Sequence, residues 1–241
     1  LEGCSCLGCL EIPSLSVPVI TVPSPTVQVQ APTPQVVVAP TVYPSIEFQA
    51  IYMYAFSVGG YWIWYRDFKE GEWTKGEITL PDKGDVMEME LAFLKRVPEG
   101  EWWRVQIMPK KEDSKPAIYE ILLSSETHTI RRVRRKIGTL PPEEVPVTEN
   151  LYYIKPVKLT KESIEGATKG IETIKVPAGT FTARHVVYAS LDGKGRVEWW
   201  ATEKVPGGVV KAKVVDEEGK VSWISVLLSY GTGAKTLLGV Y

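Results

Sequence analysis

The 241-residue chain lacks an excess of charge of either sign, and it lacks any long hydrophobic run. Lysine and arginine total 28 against 29 aspartates and glutamates, so the formal net charge is −1. A nearly neutral chain gives no electrostatic reason to expect nucleic acid or an anionic membrane as its partner. The basic run at residues 131–136 is interpreted as a solvated strand or loop, because side chains alternate between the faces of a strand. No segment approaches the roughly 18 consecutive apolar residues that a membrane-spanning helix needs.

Recognisable catalytic motifs are also missing. The sequence contains no P-loop, no H-E-x-x-H and no G-x-S-x-G motif, and paired carboxylates such as Glu143 and Glu144 lie in turn-like sequence. The two histidines, His128 and His185, lie in predicted strands, where a histidine is most often a hydrogen-bonded structural residue. The sequence therefore predicts a protein that is not an enzyme and that has no cofactor and no metal site.

Asparagine is almost absent, since Asn150 is the only one, whereas valine, lysine, glutamate and tyrosine are common. Proteins that work at high temperature show this compositional bias, and we therefore expect a thermophilic source. Residue 1 is leucine and not methionine, so we also expect a mature chain whose leader has been removed.

Cysteine is confined to one short cluster, Cys4, Cys6 and Cys9, in the sequence GCSCLGC. An odd number of closely spaced cysteines cannot all pair within one chain, so at least one is free, metal-bound, lipidated or bonded to another chain. The C-x-C-x-x-C spacing is similar to part of a thiolate metal site, but the fourth ligand is missing. We predict that these cysteines form inter-subunit cross-links, and a lipid anchor at one of them is the alternative.

Residues 1–44 form a region of distinct composition, with eight prolines and almost no charge after Glu11. Proline removes backbone donors and disrupts helices, so the region is predicted to be an extended tail. Apolar and polar residues alternate between the prolines, and such segments suit strand addition, in which one subunit supplies a strand to the sheet edge of the next. The predicted donor-strand segment contains Val17, Val19, Thr21, Val22, Val27, Val29, Val36 and Val38.

Residues 45–241 have the composition of a folded β domain. Segments such as EWTKGEITL and VSWISVLLSYG are rich in β-branched and aromatic residues, and short turns of glycine, proline and aspartate separate them. Short connections imply antiparallel neighbours. The predicted fold is all-β, a curved antiparallel meander sheet that forms a half-barrel or a β-sandwich. Residues 138–148 are predicted to be a long loop or an internal boundary, and residues 161–168 a turn of helix.

Tryptophan is abundant in the predicted strands. Adjacent pairs must point to opposite faces of a sheet, so one ring of each pair faces away from the main core. That ring belongs to a groove, to a second packed layer or to a partner surface, or it shields the edge of a curved sheet. The residues predicted to form such an aromatic groove or partner surface are Trp62, Trp64, Trp102, Trp103, Trp199 and Trp200.

Two stretches near the C-terminus carry a family resemblance: ETIKVPAGTFTARHVVYAS at residues 172–190 and GRVEWWATEKVPGGVVKAKV at residues 195–214. In the turn V-P-A-G-T-F, Pro177 presets φ, Gly179 supplies a positive φ and Phe181 re-enters the core. The order of this turn, the W-W-x-x-x-x-V-P turn and a G-x-V-K strand resembles secreted β proteins of unknown function related to the LolA/LppX-like lipoprotein-carrier half-barrels. The resemblance implies a curved antiparallel sheet in an extracytoplasmic protein, and it implies no particular ligand.

The function predicted from these features is that of an extracellular or cell-surface structural protein. We expect a subunit of a surface filament or pilus-like fibre, whose partners are copies of itself and whose tail supplies a strand to the next subunit. One alternative is a half-barrel carrier that binds a lipid or other apolar ligand. The other is an anchored accessory lipoprotein of a membrane complex, which contacts the membrane only if a cysteine is lipidated.

Overall fold

The computed structural model describes residues 52–147 and 156–241. The predictions that concern Cys4, Cys6, Cys9 and the donor-strand segment of residues 17–38 lie outside these described residues. They stay predictions.

Eleven strands form one antiparallel sheet, which curves without closing into a barrel in the described chain. Its order is β7-β6-β5-β4-β3-β2-β13-β12-β11-β10-β9, so that two meanders meet where β2 pairs with β13. This confirms the predicted all-β fold with a curved antiparallel meander. The strands of the described chain are β1 (Tyr61–Trp62), β2 (Trp73–Leu80), β3 (Asp85–Val97), β4 (Gly100–Pro109), β5 (Ala117–Leu123), β6 (Ile130–Ile137), β7 (Glu143–Val145), β8 (Val157–Lys158), β9 (Thr168–Val176), β10 (Gly179–Ala189), β11 (Gly195–Ala201), β12 (Val209–Asp216) and β13 (Val221–Gly231).

Six shifts in register interrupt the pairing of the sheet. An extra residue in one strand of a pair bends that strand and increases its twist. It also moves the residues beyond it to the other face, since side chains alternate along a strand. The shifts in register fall between Phe93 and Lys95, Leu122 and Leu123, His185 and Val186, Trp200 and Ala201, Val214 and Val215, and Leu227 and Ser229.

The tight turn between β9 and β10 follows the sequence prediction. Gly179 has φ +136°, a conformation that side chains with a Cβ rarely adopt. Phe181 is buried, as expected, but it packs in a cluster on the outer face of the sheet and not in the main core. The sequence therefore predicted the geometry of the turn, but it did not predict on which face of the sheet Phe181 is buried.

Residues 52–68, which we call the plug, cover the concave face of the sheet. Residues 52–56 are helical, and β1 pairs in parallel with β8. Buried plug side chains such as Tyr52, Phe56, Trp62 and Phe68 pack with alternate residues of both meanders in one apolar cluster, the inner core. Burying each large apolar side chain contributes about 1.5–3 kcal/mol to stability. The plug therefore stabilises the fold by covering apolar side chains that the open sheet alone would leave exposed.

The convex face carries two smaller apolar clusters. One contains Val176, Phe181, Ala183, Trp200, Val205, Val210 and Leu227 on the second meander. The other contains Ala92, Leu94, Trp102 and Leu122 on the first meander, and Ala234 packs against it. Ala234 belongs to residues 232–241, which we call the strap and which follow β13 across the outer face.

Among the local predictions, that of a helical turn at residues 161–168 is confirmed in part, and that of a strand at His128 is wrong. The short helix α1, Lys161–Gly166, begins where Thr160 accepts a hydrogen bond from the backbone N–H of Ser163 at 3.1 Å. The predicted loop at residues 138–148 contains β7, a short strand that pairs with β6. His128 lies in the connection between β5 and β6 with φ +52°, and not in a strand as predicted. Strand β6 begins at Ile130, so His128 in the sequence HTIRRV precedes the strand.

Candidate functional site

A cavity of about 120 Å³ lies between the plug and the middle of the sheet. It sits beside the pairing of β2 with β13, where the two meanders join. The side chains around it are mainly aliphatic and aromatic, and they include Phe56, Ile63, Trp64 and Phe68 of the plug and Ile78, Met89, Leu91 and Trp223 of the sheet. An apolar cavity of about 150 Å³ holds one benzene molecule, and this space is somewhat smaller than that.

Glycine at one position of β2 helps to leave this space open. Gly76 lines the cavity, and a Cβ at this residue would lie 3.3 Å from the Oγ of Ser225. A glycine inside a strand weakens the strand and often marks a close approach to a ligand or another chain segment. Gly76 in the segment EWTKGEITL was such a signal, and our sequence reasoning missed it.

The plug is held to the sheet mainly by aromatic contacts, with Trp103 at their centre. The ring centroid of Trp103 lies 5.6 Å from Phe56, 4.8 Å from Trp64 and 5.3 Å from Phe68, all three of the plug. On the sheet side, Phe93 stacks on Trp103 at 4.8 Å. Such contacts are attractive but adaptable, since they do not fix one hydrogen-bonded geometry.

The far end of the plug rests on two glycines of the short 3-10 turn Pro206–Gly208. The N–H of Tyr65 donates to the carbonyl oxygen of Gly207 at 3.0 Å. A Cβ on Gly207 would lie 2.6 Å from the ring of Phe68, and one on Gly208 would lie 2.7 Å from the Cβ of Tyr65. The V-P turn that the sequence predicts here therefore also forms the surface on which the plug packs.

The structure divides the predicted aromatic groove between the two faces of the sheet. The inner core contains Trp62, Trp64, Trp103 and Trp199, and the outer clusters contain Trp102 and Trp200. The pairs 102–103 and 199–200 therefore point to opposite faces, as the alternation predicted. Five of the six are buried, and Trp64 is half-buried. Their role as a groove or partner surface stays a prediction.

Three inner-face tryptophans have indole N–H groups without a hydrogen-bond acceptor in the described chain. They are the Nε1 atoms of Trp103, Trp199 and Trp223. A buried indole N–H normally finds a partner, because leaving it unpaired costs free energy. Of the three residues, only Trp223 lines the cavity.

The outer face differs because buried charges hold the strap there. Glu120 is fully buried, and its carboxylate accepts hydrogen bonds from the N–H of Leu237 at 2.6 Å and the hydroxyl of Thr236 at 2.7 Å. Arg134 lies 3.5 Å from the same carboxylate and donates to the carbonyl oxygen of Val240 at 2.5 Å. The strap is thus held through two of its backbone groups and the Thr236 hydroxyl, which fix it in one register.

A second polar network ties the edge strand β9 to its neighbours. The ring nitrogens of His185 lie 3.0 Å from Glu172 and 2.9 Å from Glu198, and the ring stacks on Trp200. The indole N–H of Trp200 donates to Glu172 at 2.9 Å. The hydrogen bond that Trp200 donates, followed by the hydrogen bond with His185, lowers the pKa of Glu172 below its ordinary value.

Glu198 is the buried member of this network. Burial alone would raise its pKa, but hydrogen bonds from Arg196, His185 and Lys213 outweigh burial and lower it. Arg196 donates at 2.6 Å, and the ammonium of Lys213 lies 3.2 Å away. Partners on β10, β11 and β12 therefore keep this carboxylate ionised, and the network is interpreted as structural.

Two kinds of site do not occur within residues 52–147 and 156–241. No three or more histidine, cysteine, aspartate or glutamate side chains there are arranged to hold a metal ion. No helix in these ranges has the length and apolar character that crossing a membrane requires.

Comparison with known proteins gives no family. No protein-family model matches the chain, and no curated protein matches it in sequence. Solved structures with some similarity do exist. One is a candidate exported protein with a YmcC-like fold from Bacteroides fragilis, with 12% identity, a TM-score of 0.37, and coverage of 70% of this chain and 100% of that one.

Two further similar structures come from other bacteria. The MucA/MucB complex of Pseudomonas aeruginosa gives 10% identity and a TM-score of 0.41 over 69% of this chain and 53% of that one. A candidate lipoprotein from Parabacteroides distasonis gives 12% identity and a TM-score of 0.32 over 70% and 99%. At such low scores they carry no argument about what this chain binds.

Proposed function

We propose that the protein is a half-barrel binding protein or carrier, which holds an apolar ligand between the plug and the inner face of the sheet. The observation that carries the proposal is the cavity of about 120 Å³ beneath the plug. Ligand sites are concave and mostly apolar, with a few polar groups, and this cavity has that character.

A larger ligand requires the plug to move. Sites for drug-sized ligands usually measure about 300–1,000 Å³, more than the cavity offers in this form. Displacing residues 52–68 would uncover aromatic and aliphatic side chains of both meanders, including Trp103, Phe93 and Met89. An apolar ligand would replace the plug as the partner of these side chains, because the hydrophobic effect is not directional.

Binding of N-phenylnaphthylamine, a neutral dye that fluoresces in apolar surroundings, tests the proposal. We expect saturable binding of one dye per chain, weakened several-fold by Gly76→Ala, which adds a methyl group to the cavity wall. The matched control is Gly170→Ala in β9, where the new methyl group meets nothing within 4 Å. Absence of saturable binding, or equal losses in both variants, would contradict the proposal.

We further propose that the protein is exported and works outside the cytoplasm. The sequence resemblance to secreted β proteins supports this, and one of the similar structures is described as an exported protein. Fractionation of the native cells with an antibody to the β domain is the test. Recovery of the protein in the cytoplasmic fraction would contradict export.

Self-assembly by strand donation is a second candidate function, and one observation favours it. The edge strand β9 spans nine residues, and its outer edge has no strand beside it in the described chain. An unpaired edge can accept a strand from another chain. Deletion of residues 1–44 should then abolish assembly, and a deleted chain that still assembles would exclude this mechanism.

A further inference from the structure

The strap crosses three neighbouring strands of the first meander on the outer face of the sheet. Arg104 on β4 donates a hydrogen bond to the carbonyl oxygen of Lys235. Further along the strap, Glu120 on β5 and Arg134 on β6 bond to its backbone. All three side chains are buried, and we call them the strap site. The strap therefore lies on a set of fixed polar groups and not on a plain surface.

The strap site recognises the backbone of its occupant and one residue without a side chain. The carboxylate of Glu120 accepts from the N–H groups of Leu237 at 2.6 Å and of Leu238 at 3.3 Å. A Cβ on Gly239 would lie 2.8 Å from Nη1 of Arg134, so a larger residue would displace the guanidinium. The occupant thus needs two free N–H groups followed directly by glycine. The strap meets this requirement whether it comes from the same chain or from a second copy.

Apolar side chains of the strap face solvent while its backbone is held. Leu237 is 55% exposed and Val240 is 83% exposed. Burying them is favourable, since the hydrophobic effect grows with the apolar area that is removed from water. A partner that covers the strap therefore gains contacts that the single chain lacks.

A short link joins the strap to the sheet. β13 ends at Gly231, and Ala234 already packs on the outer cluster of the first meander. The three residues 231–233 span at most about 10 Å when extended, and stacked sheets lie about 10 Å apart. A strap that crosses to a second copy therefore brings the outer faces of the two first meanders together, with Leu237 and Val240 between them.

We propose that two copies of the protein exchange straps, so that the strap site of each copy binds the strap of the other. The exchange repeats every contact of the strap between chains, and it produces a dimer with two identical contacts. The dimer gains the burial of apolar strap side chains between the two faces. It is independent of the proposed ligand site, which lies on the inner face, and of strand donation, which would use β9.

A mixing experiment with two full-length variants tests the exchange, in a reductant that prevents disulfides between the N-terminal cysteines. Gly239→Val disables the strap, and Glu120→Gln disables the strap site. Neither variant has a complete pair of its own, but the intact site of the first fits the intact strap of the second. By size-exclusion chromatography with light scattering, each variant alone should be a monomer, and the equimolar mixture should form a dimer with one chain of each. The wild-type protein should show a dimer fraction that rises with concentration.

The matched control replaces Gly239→Val by Gly166→Val, which adds the same side chain where a Cβ meets nothing within 4 Å. The strap of this control occupies its own site, so its mixture with Glu120→Gln should associate about tenfold more weakly or less, because a tethered strap competes at a high effective concentration. Circular dichroism and the melting temperature establish that each variant is folded. Thr236→Val and Arg134→Met form a second pair with the same expected results.

Three results would overturn the exchange. The first is a mixture of folded variants that stays monomeric, and the second is dimerisation of either variant alone to the extent seen in the wild type. The third is a wild-type protein that stays monomeric at the highest concentration at which it is soluble. If a synthetic peptide of residues 231–241 binds to Gly239→Val while the mixture stays monomeric, the strap site binds peptides but a second copy is not its occupant.

Discussion

The two faces of this single sheet use the same residue type in different ways. On the outer face, Trp200 donates its N–H to Glu172, and the guanidinium of Arg134 lies 4.1 Å from the ring centroid of Trp102. On the inner face, Trp103 and Trp223 are buried among apolar groups, with indole N–H groups that no described residue accepts. The outer rings are fixed by directional partners, whereas the inner rings are held by packing alone.

This difference suggests a division of labour between the faces. Hydrogen-bonded networks specify one geometry, and an apolar surface accepts any partner of suitable shape. The outer face therefore maintains the sheet and its strap. The inner face is suited to exchange one apolar partner, the plug, for another.

The largest expected effect is on the inner face, where Trp103 is 2% exposed and contacts three rings of the plug. Trp103→Ala should lower the free energy of unfolding by about 3–5 kcal/mol, because it removes a large buried ring and leaves a cavity. Urea denaturation followed by circular dichroism measures this loss. A loss below about 1 kcal/mol would mean that the plug is not packed on this ring as described.

A smaller effect is expected for the outer-face carboxylate that holds the strap. Glu120→Gln removes the charge that Arg134 faces and disturbs the acceptor of the Leu237 N–H, at a cost of about 1–3 kcal/mol. Hydrogen exchange of the strap amides should accelerate, while exchange in the plug stays the same. Faster exchange in both regions would contradict independent attachment of plug and strap.

Glycine variants test how the plug is seated. Gly207→Ala should cost about 1–2 kcal/mol for its left-handed backbone and, in addition, displace the ring of Phe68. Gly219→Ala is the control, since its φ is +86° but its Cβ would meet nothing within 4 Å. We expect both variants to lose stability and only Gly207→Ala to bind N-phenylnaphthylamine more rapidly in stopped-flow fluorescence. Equal rates of dye binding in the two variants would contradict the packing of the plug on Gly207.

The smallest expected effect is the pH dependence of the edge-strand network. The pKa values of Glu172 and Glu198 are lowered in the folded protein, so their contribution to stability is present above the unfolded glutamate pKa of about 4.3. It is lost as the pH falls through the lower folded values. Trp200→Phe removes the main donor to Glu172, so the free energy of unfolding should fall less steeply as the pH is lowered. An unchanged dependence of stability on acidic pH would contradict the role of Trp200 in lowering the pKa of Glu172.

Much of the fold was predictable from local sequence. Alternation and short turns predicted the antiparallel meanders, and Gly179 behaves as the V-P-A-G-T-F turn predicts, whereas Phe181 is buried on the outer face and not in the main core. The adjacent tryptophans separate onto opposite faces because a strand permits nothing else. Residues 52–68 were not recognised as a plug, since YMYAFS and YWIWYRDF have the aromatic content of strands and only long-range packing decides their place.

The candidate site was less predictable than the fold. Its cavity arises from residues distant in sequence: the pairing of β2 with β13 brings Gly76 and Trp223 together, and the plug adds Phe68. A lone glycine within a strand was the one local signal. Unpaired indole donors cannot be inferred from sequence at all, because every tryptophan carries the same N–H.

Reversible fixation of the plug tests the central claim most directly. A Cβ on Gly59 would lie 3.7 Å from the Cβ of Val197, close to the mean of about 3.8 Å for disulfides. The double variant Gly59→Cys, Val197→Cys, with Cys4, Cys6 and Cys9 changed to serine, should therefore link the plug to β11 on oxidation. Gly59→Cys alone, with the same serines, controls for backbone strain.

Dye binding is then measured in the oxidised and the reduced protein. We predict that oxidation abolishes binding of N-phenylnaphthylamine and that a reductant restores it, with no change in the control. Equal binding in both redox states of the cross-linked variant would contradict a ligand site beneath a movable plug.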